Sequence, residues 1–136
     1  MNEIACYRYA CIGLVGWIEA SAKLPHSMRM LLADTDNDFH LAAIVIAELV
    51  DLCTKGRTSL KLVPLLQVLR DDERFIMHDF TAEMAMQTAK FASLPDIHDR
   101  CIVATTAEPV ASGHDAVLVT KDKAIRDSGL VPTIWE

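Results

Sequence analysis

The sequence predicts an α/β protein, because short apolar runs with strand character alternate with segments whose apolar residues recur at helical spacing. Its 136 residues fall within the usual size of one domain, and 51% of them are hydrophobic against 24% charged. A chain this apolar can offset its conformational entropy by burying a core, which excludes a disordered protein. We therefore expect a single domain over residues 1–136 with a mostly parallel central sheet flanked by helices.

The first elements combine strand and helix signals. Ile4–Tyr9 is predicted to form a strand that leads into an apolar helix over Ala10–Ile18, although this run contains two glycines. A second helix is predicted over Leu24–Ala33, where a polar cluster then ends it. A strand is predicted over Phe39–Ala43, and a helix is predicted to follow it over Ile44–Thr54.

The second half repeats the alternation. The predicted elements are a helix over Leu62–Leu69, a strand over Phe75–Met77, a helix capped by Thr81 that ends near Leu94, a helix from Asp96 to Ala107, a strand over Ala116–Thr120, a short helix over Asp122–Asp127 and a last strand over Thr133–Trp135. In such sheets, ligands bind beyond the carboxyl ends of the strands, so that is where candidate residues are sought.

Composition excludes several classes of protein. The net charge of −6 denies the chain the broad basic surface that drives non-specific nucleic-acid binding. Its longest apolar stretch, Ala10–Ile18, is about half of the ~20 residues that a membrane-spanning helix needs, so no membrane association is expected. The N-terminus carries no secretory signal, which predicts a cytoplasmic location. The cysteines form no C-x-x-C pair and are interpreted as small core residues.

Acidic residues are the main candidates for chemistry. Glu48 lies in the helix after the second predicted strand. Asp99 lies three residues after Asp96 in a first helical turn, and Asp122 directly follows a buried strand. Glu48 and Asp99 stand among apolar neighbours, and a carboxylate in such surroundings must be paired, hydrogen-bonded or bound to metal. The structural alternative is that these acids pair with basic neighbours, namely Arg100, Lys121 and Lys123.

Three segments resemble the PIN domain family, and within it the VapC-type toxins. They are Ile-Ala-Glu-Leu at residues 46–49, Leu-Pro-Asp-Ile-His-Asp-Arg-Cys-Ile-Val-Ala-Thr-Thr at residues 94–106 and Ala-Val-Leu-Val-Thr-Lys-Asp at residues 116–122. The resemblance implies a three-layer PIN-like fold with a central sheet of four to five strands. It also implies cleavage of single-stranded RNA with Mg²⁺ or Mn²⁺, control by a cognate antitoxin protein, and a homodimer.

The resemblance places Glu48, Asp99 and Asp122 at three of the family's four acidic catalytic and metal positions, with Asp96 as an accessory acid. The fourth position departs from the pattern, because Ala10 stands where the family has an aspartate at the end of the first strand. An alanine offers no ligand oxygen, which predicts weaker metal binding.

Thr120 and Arg100 are the candidate substrate-binding residues, with helix capping and ion pairing as their alternatives. Two functional hypotheses follow from the whole pattern. The first is a metal-dependent ribonuclease of a toxin–antitoxin system. The second, which Ala10 favours, is a degenerate PIN domain that binds RNA or protein without cutting.

Overall fold

The computed structural model describes residues 7–10, 30, 33, 38–58, 60–113, 116–120 and 122–134, with the backbone alone described for residues 7–10. The elements in chain order are β1 (Tyr7–Ala10), β2 (Phe39–Ala42), α1 (Ala43–Thr54), α2 (Leu62–Asp71), β3 (Phe75–His78), α3 (Ala82–Gln87), a 3₁₀ helix (Thr88–Phe91), α4 (Ile97–Ala111), β4 (Ala116–Val119), α5 (Lys123–Ser128) and β5 (Thr133–Ile134). This mixture of helices and short parallel strands confirms the predicted α/β class.

The sheet runs in the order β3-β2-β1-β4-β5, and each neighbouring pair of described strands is parallel. The chain moves outward from β1 through β2 to β3, and then crosses back to place β4 on the other side of β1. The direction of winding therefore reverses between β1 and β4, which is the position where open α/β sheets bind ligands.

The core is centred on β2 and β4. Phe39, Leu41 and Leu118 have no exposed surface, and every residue of β2 is buried. Continuous burial of this kind is typical of a parallel strand covered on both faces, and it explains why these runs lack the alternation of a half-exposed strand. At the edge of the sheet, β3 exposes Ile76 and Met77.

The predicted helix from Thr81 to Leu94 is wrong in its second half. Thr81 does cap α3, since its hydroxyl accepts a hydrogen bond from the Met84 N–H at 3.1 Å. The α-helix ends at Gln87, however, and the chain tightens into the 3₁₀ helix. The Thr88 hydroxyl donates to the Ala85 carbonyl at 2.6 Å, a side-chain bond to the backbone of the kind that competes with regular helix.

The helix predicted from Asp96 to Ala107 is longer than expected, because α4 continues to Ala111 and includes Pro109. A proline in the last turn removes only one hydrogen bond, so it does not stop the helix. The helices predicted over residues 10–18 and 24–33 lie outside the described residues, apart from Ala10, which is the last residue of β1 and not helical, and the helical Met30 and Ala33.

Within the described ranges, no helix combines the length and apolar character that a bilayer crossing requires. Two of the cysteines, Cys53 and Cys101, are free thiols that are half-buried in their helices. Burial raises the pKa of the Cys101 thiol, which keeps it in the neutral form.

Candidate functional site

The carboxyl ends of β1 and β4 lie side by side at the point where the sheet reverses direction. Ala10, the last residue of β1, is in register with Val119, the last residue of β4. The chain then passes through Thr120 to Asp122, which precedes α5. The structure thus brings the backbone of Ala10 to the strand end that Asp122 follows, although Ala10 itself has no acidic side chain.

Asp122 is held in place by its neighbours in the chain. Its carboxylate accepts a hydrogen bond from the Ile125 N–H at 3.0 Å and so caps the first turn of α5. Its own N–H donates to the Thr120 hydroxyl at 3.1 Å, and the Thr120 side chain is fully buried. Thr120 therefore orients Asp122, while its direct contact with a substrate stays a prediction.

Asp96 performs the same capping role at the start of α4. Its carboxylate accepts from the His98 N–H at 2.7 Å, and the His98 Nδ1 atom lies 3.9 Å from the same oxygen. Both side chains are exposed. The capping alternative for Asp96 is thus present in the structure, and it leaves the second carboxylate oxygen outside this bond.

Glu48 extends from α1 toward the beginning of α4. Burial raises the pKa of the Glu48 carboxyl; the nearby His98 lowers it and Asp96 raises it. The charges that act on Glu48 therefore come from another helix, fifty residues away in the sequence. This is a long-range association of the kind that a metal or a substrate site needs.

Asp99 is the electrostatic centre of these acids. Burial is the main cause that raises its pKa to about 6 from an ordinary value of 3.8, followed by repulsion from Asp122, Asp96 and Glu48, with His98 acting in the opposite sense. We call Glu48, Asp96, Asp99 and Asp122 the acidic group. Like charges disfavour ionisation, so a bound cation would relieve the repulsion within this group.

The donor set of the acidic group suits Mg²⁺ or Mn²⁺, because carboxylate oxygens are the hard ligands that these ions prefer. Its arrangement fits less well. Among the residues that the structure describes, no three histidine, cysteine or acidic side chains converge closely enough to hold a metal ion. Two members of the acidic group are turned toward the N–H groups that they cap.

The partly buried Arg100 side chain binds the loop before α4. Its Nε atom donates to the Leu94 carbonyl at 2.5 Å, and its Nη2 atom donates to the Ala92 carbonyl at 3.5 Å. These contacts fasten the turn that leads into the Asp96 cap. Substrate binding by Arg100 stays a prediction. In the described structure, Arg100 positions the turn that precedes Asp96.

The histidines of β2 and β3, His40 and His78, are not among the site residues that the sequence predicts. His40 Nδ1 and His78 Nε2 are in direct contact, with their ring centroids 4.7 Å apart. The strand register explains this proximity, because His40 pairs with Ile76 and Ala42 pairs with His78. Each histidine stands alone in the sequence, so only the alignment of the two strands, Phe-His-Leu-Ala beside Phe-Ile-Met-His, could have revealed the contact.

Comparison with known proteins finds similarity of fold. No family model and no curated protein matches the chain. A chain of VapBC2 from Rickettsia felis, solved bound to a DNA fragment from its promoter, is 20% identical and has a TM-score of 0.61, with 96% of this chain and 99% of that chain covered. A chain of FitAcB from Neisseria gonorrhoeae is 18% identical and has a TM-score of 0.63, with 94% and 96% covered.

These findings correct the assignment of the chain to the PIN domain family and its VapC-type toxins. No family model supports that assignment, and the two similar structures are antitoxin–toxin complexes that do not resolve which family this chain belongs to. At such low identity the likeness shows the fold alone, since the burial pattern that defines a fold is compatible with many sequences. The motifs quoted above therefore indicated the architecture rather than the family.

Proposed function

We propose that this chain is a component of a toxin–antitoxin system and acts as a ribonuclease that requires Mg²⁺ or Mn²⁺. The observation that carries the proposal is the repulsion that three neighbouring acids exert on Asp99, one of which, Asp122, follows the strand end where the sheet reverses direction. The likeness in fold to chains from two antitoxin–toxin complexes supports the biological context. The acidic surface also agrees with an RNA that is met at one local site rather than over a broad basic face.

In this proposal, Glu48, Asp99 and Asp122 provide the carboxylates that hold the metal and perform the catalysis, with Asp96 as an additional ligand. A divalent ion bound there would neutralise charge on the phosphodiester and activate water for hydrolysis. Thr120 fixes the Asp122 backbone, and Arg100 fixes the loop that precedes Asp96.

The elevated pKa of Asp99 has a direct consequence for metal binding. A carboxyl group with a pKa of about 6 is partly protonated just below neutral pH, and a proton competes with a metal ion for the same oxygen atoms. The ribonuclease activity should therefore rise with pH through the range in which Asp99 ionises. A partner that covers this acidic group would control the activity, and an antitoxin protein is the partner that we propose. The homodimer, which only the resemblance implies, stays a prediction.

A second candidate function is a binding module that does not cut RNA. It is favoured by Ala10, whose backbone lies at the strand end beside β4 but whose side chain provides no ligand. The lack of a ready three-ligand cluster among the described residues favours it as well.

Calorimetric titration of Mn²⁺ into the purified chain is the first test, because it requires no knowledge of the RNA. We expect saturable binding that Asp99→Asn abolishes and that Asp51→Asn leaves unchanged. Asp51 is a matched control, since it is an exposed acid of α1 that pairs with Lys55 at 3.1 Å and lies outside the acidic group. Equal binding by the wild type and Asp99→Asn would contradict the proposed metal site.

Substituting Ala10→Asp separates the two functions. If the chain is a weak ribonuclease, Ala10→Asp should increase Mn²⁺-dependent cleavage of single-stranded RNA at least tenfold, and adding Asp99→Asn should remove it. A wild-type chain that binds RNA without cleaving it in Mn²⁺, combined with a gain of cleavage in Ala10→Asp, would favour the binding module. No cleavage by either protein, with metal binding intact, would contradict the ribonuclease proposal.

A further inference from the structure

A cavity of about 340 Å³ lies where the end of β3, the start of α3 and the C-terminal half of α4 meet. Its lining includes His78, Asp79, Thr81, Thr105 and Glu108. The cavity is distinct from the acidic group, because none of its lining residues belongs to that group. Along α4, Glu108 follows Asp99 by nine residues, which corresponds to about 14 Å of helix.

Three hydroxyl groups line this cavity, and two of them, those of Thr105 and Ser112, present acceptors, whereas the Thr81 hydroxyl accepts from the Met84 N–H. Thr105 Oγ1 donates its proton to the Cys101 carbonyl at 3.0 Å, and Ser112 Oγ donates to the Glu108 carbonyl at 3.1 Å. Because both protons are used within the helix, these oxygen atoms offer only lone pairs to a ligand. Both residues line the cavity, and Thr105 is almost completely buried.

Pro109 also leaves one backbone acceptor of α4 without its usual helical donor. Proline has no N–H group, so the carbonyl of Thr105, four residues earlier, does not receive the usual hydrogen bond of the helix. Pro109 and Thr105 both line the cavity. A helix wall with a released carbonyl beside hydroxyl oxygens favours a ligand that is rich in N–H donors.

The charges around the cavity favour a ligand that is positively charged. Among the described residues, neither Asp79 nor Glu108 forms an ion pair with a lysine or arginine. Glu108 also occupies the last turn of α4, where the helix dipole is negative and where no basic residue is present. A cation is the group that would offset both the carboxylates and the dipole.

His78 does not cancel this negative charge at neutral pH. Burial lowers the pKa of the His78 imidazole, while Glu108 and Asp79 act in the opposite direction, and the lowering is the larger effect. Among the described residues, the groups that face this ring include His40 from β2, Glu108 from α4 and Asp79 from the chain after β3. With His78 neutral, the described lining of the cavity contains two carboxylates and no lysine or arginine.

We propose that this cavity binds a guanidinium group, as carried by an arginine side chain of a protein partner or by a free small guanidine. The planar guanidinium has five N–H donors that can reach acceptors on several sides, whereas an ammonium has three donors at one point. Met84 and Pro109, which also line the cavity, provide apolar surface for the methylene stem. The proposal does not depend on the ribonuclease activity, since it uses none of the acidic group.

The test follows the His78 imidazole resonances by NMR during titration with two probes, an acetylated and amidated Gly-Arg-Gly peptide and agmatine. Saturable shifts would support the site if the affinity derived from them is at least tenfold weaker in Glu108→Gln and unchanged in Glu83→Gln. Glu83 is a matched control, because it is an exposed acid of α3 that does not line the cavity. Tighter binding of the peptide would indicate a protein arginine, and tighter binding of agmatine would indicate a free guanidine.

Three results would overturn the proposal. They are no shift at any probe concentration, equal affinity of the wild type and Glu108→Gln for the probes, or equal affinity of the wild type for the Gly-Arg-Gly peptide and for an acetylated and amidated Gly-Lys-Gly peptide. A circular dichroism spectrum of each variant establishes that it is folded, so that a loss of binding refers to the site. Binding should also weaken as the pH falls through the titration of His78, because a protonated imidazole adds positive charge beside the ligand.

Discussion

The two ends of α4 carry carboxylates in opposite electrostatic settings. At the N-terminal end, Asp96 and Asp99 lie in a dipole field that favours anions, yet burial and, to a smaller extent, the neighbouring acids raise the pKa of Asp99 to about 6. At the C-terminal end, Glu108 stands against the dipole and lines a cavity whose other acid is Asp79. The N-terminal end therefore carries acids where the helix dipole stabilises them, and the C-terminal end carries an acid where the dipole destabilises it.

This difference separates two ways of building a site for a cation. At the N-terminal end the field of the helix favours anions and partly offsets the repulsion between acids. At the C-terminal end, the negative dipole adds to the carboxylates and to the carbonyl that Pro109 releases. We therefore expect the first end to accept a compact metal ion and the second to accept an extended N–H donor.

The largest expected effect concerns the buried middle of α4, which keeps the two ends at a fixed separation. Ile102 is almost fully buried in the core, so Ile102→Ala should lower the free energy of unfolding by about 3 kcal/mol through lost burial and the cavity left behind. Urea unfolding followed by circular dichroism measures it. The matched control is Ile97→Ala on the same helix, where the isoleucine is 63% exposed and the loss should be below about 0.5 kcal/mol.

A similar loss in both isoleucine variants would show that α4 does not pack as described. The comparison of the two ends would then lose its basis, since the separation between Asp99 and Glu108 depends on an intact and anchored helix.

Arg100 gives a smaller effect that is confined to the N-terminal end. Arg100→Gln should lower the free energy of unfolding by about 1.5 kcal/mol, because hydrogen bonds from a charged donor to the carbonyls of Leu94 and Ala92 are lost. Arg70→Gln is the control, since Arg70 is an exposed arginine in the last turn of α2. Urea unfolding again provides the measurement, and equal losses in the two variants would contradict the anchoring role.

The sequence predicted the parts of this molecule that depend on local pattern. Apolar runs and capping residues within each segment predict four of its features. These are the buried strands at Phe39 and Ala116, the Thr81 cap and the helix after Asp96. The proximity of Glu48 to Asp96 was expected from the general rule for strand ends and from the resemblance described above, and the structure supplies the charge coupling.

Other features could not be predicted because they depend on strand register or on a competition between local interactions. His40 and His78 meet only because β2 and β3 pair with a particular offset. The change from α3 to a 3₁₀ helix depends on how the Thr88 hydroxyl bonds, which residue spacing does not encode. The cavity at Glu108 depends on α4 continuing through Pro109, whereas the sequence pattern ended that helix at Ala107.

The smallest effect has the opposite sign and tests the cost of ionising Asp99, whose pKa is raised by burial and by the neighbouring acids. Because the pKa of Asp99 is higher in the folded protein than its ordinary value of 3.8, ionised Asp99 destabilises the fold. The penalty is fully present above about pH 6 and is relieved as the pH falls toward 4. Asp99→Asn, which resembles the protonated acid, should thus raise the free energy of unfolding at pH 7.5 by on the order of 1 kcal/mol, a value reduced to allow for solvent screening of a half-exposed group.

Urea unfolding of the wild type and Asp99→Asn at pH 7.5 and pH 4.5 gives the decisive comparison. The stability advantage of Asp99→Asn should be present at the higher pH and shrink at the lower one, where the wild-type acid is itself protonated. Adding Mn²⁺ at pH 7.5 should reverse the order, since a bound cation stabilises only a protein that retains the carboxylate. An advantage independent of pH would mean that the substitution acts through packing, and the two ends of α4 would then differ in shape rather than in charge.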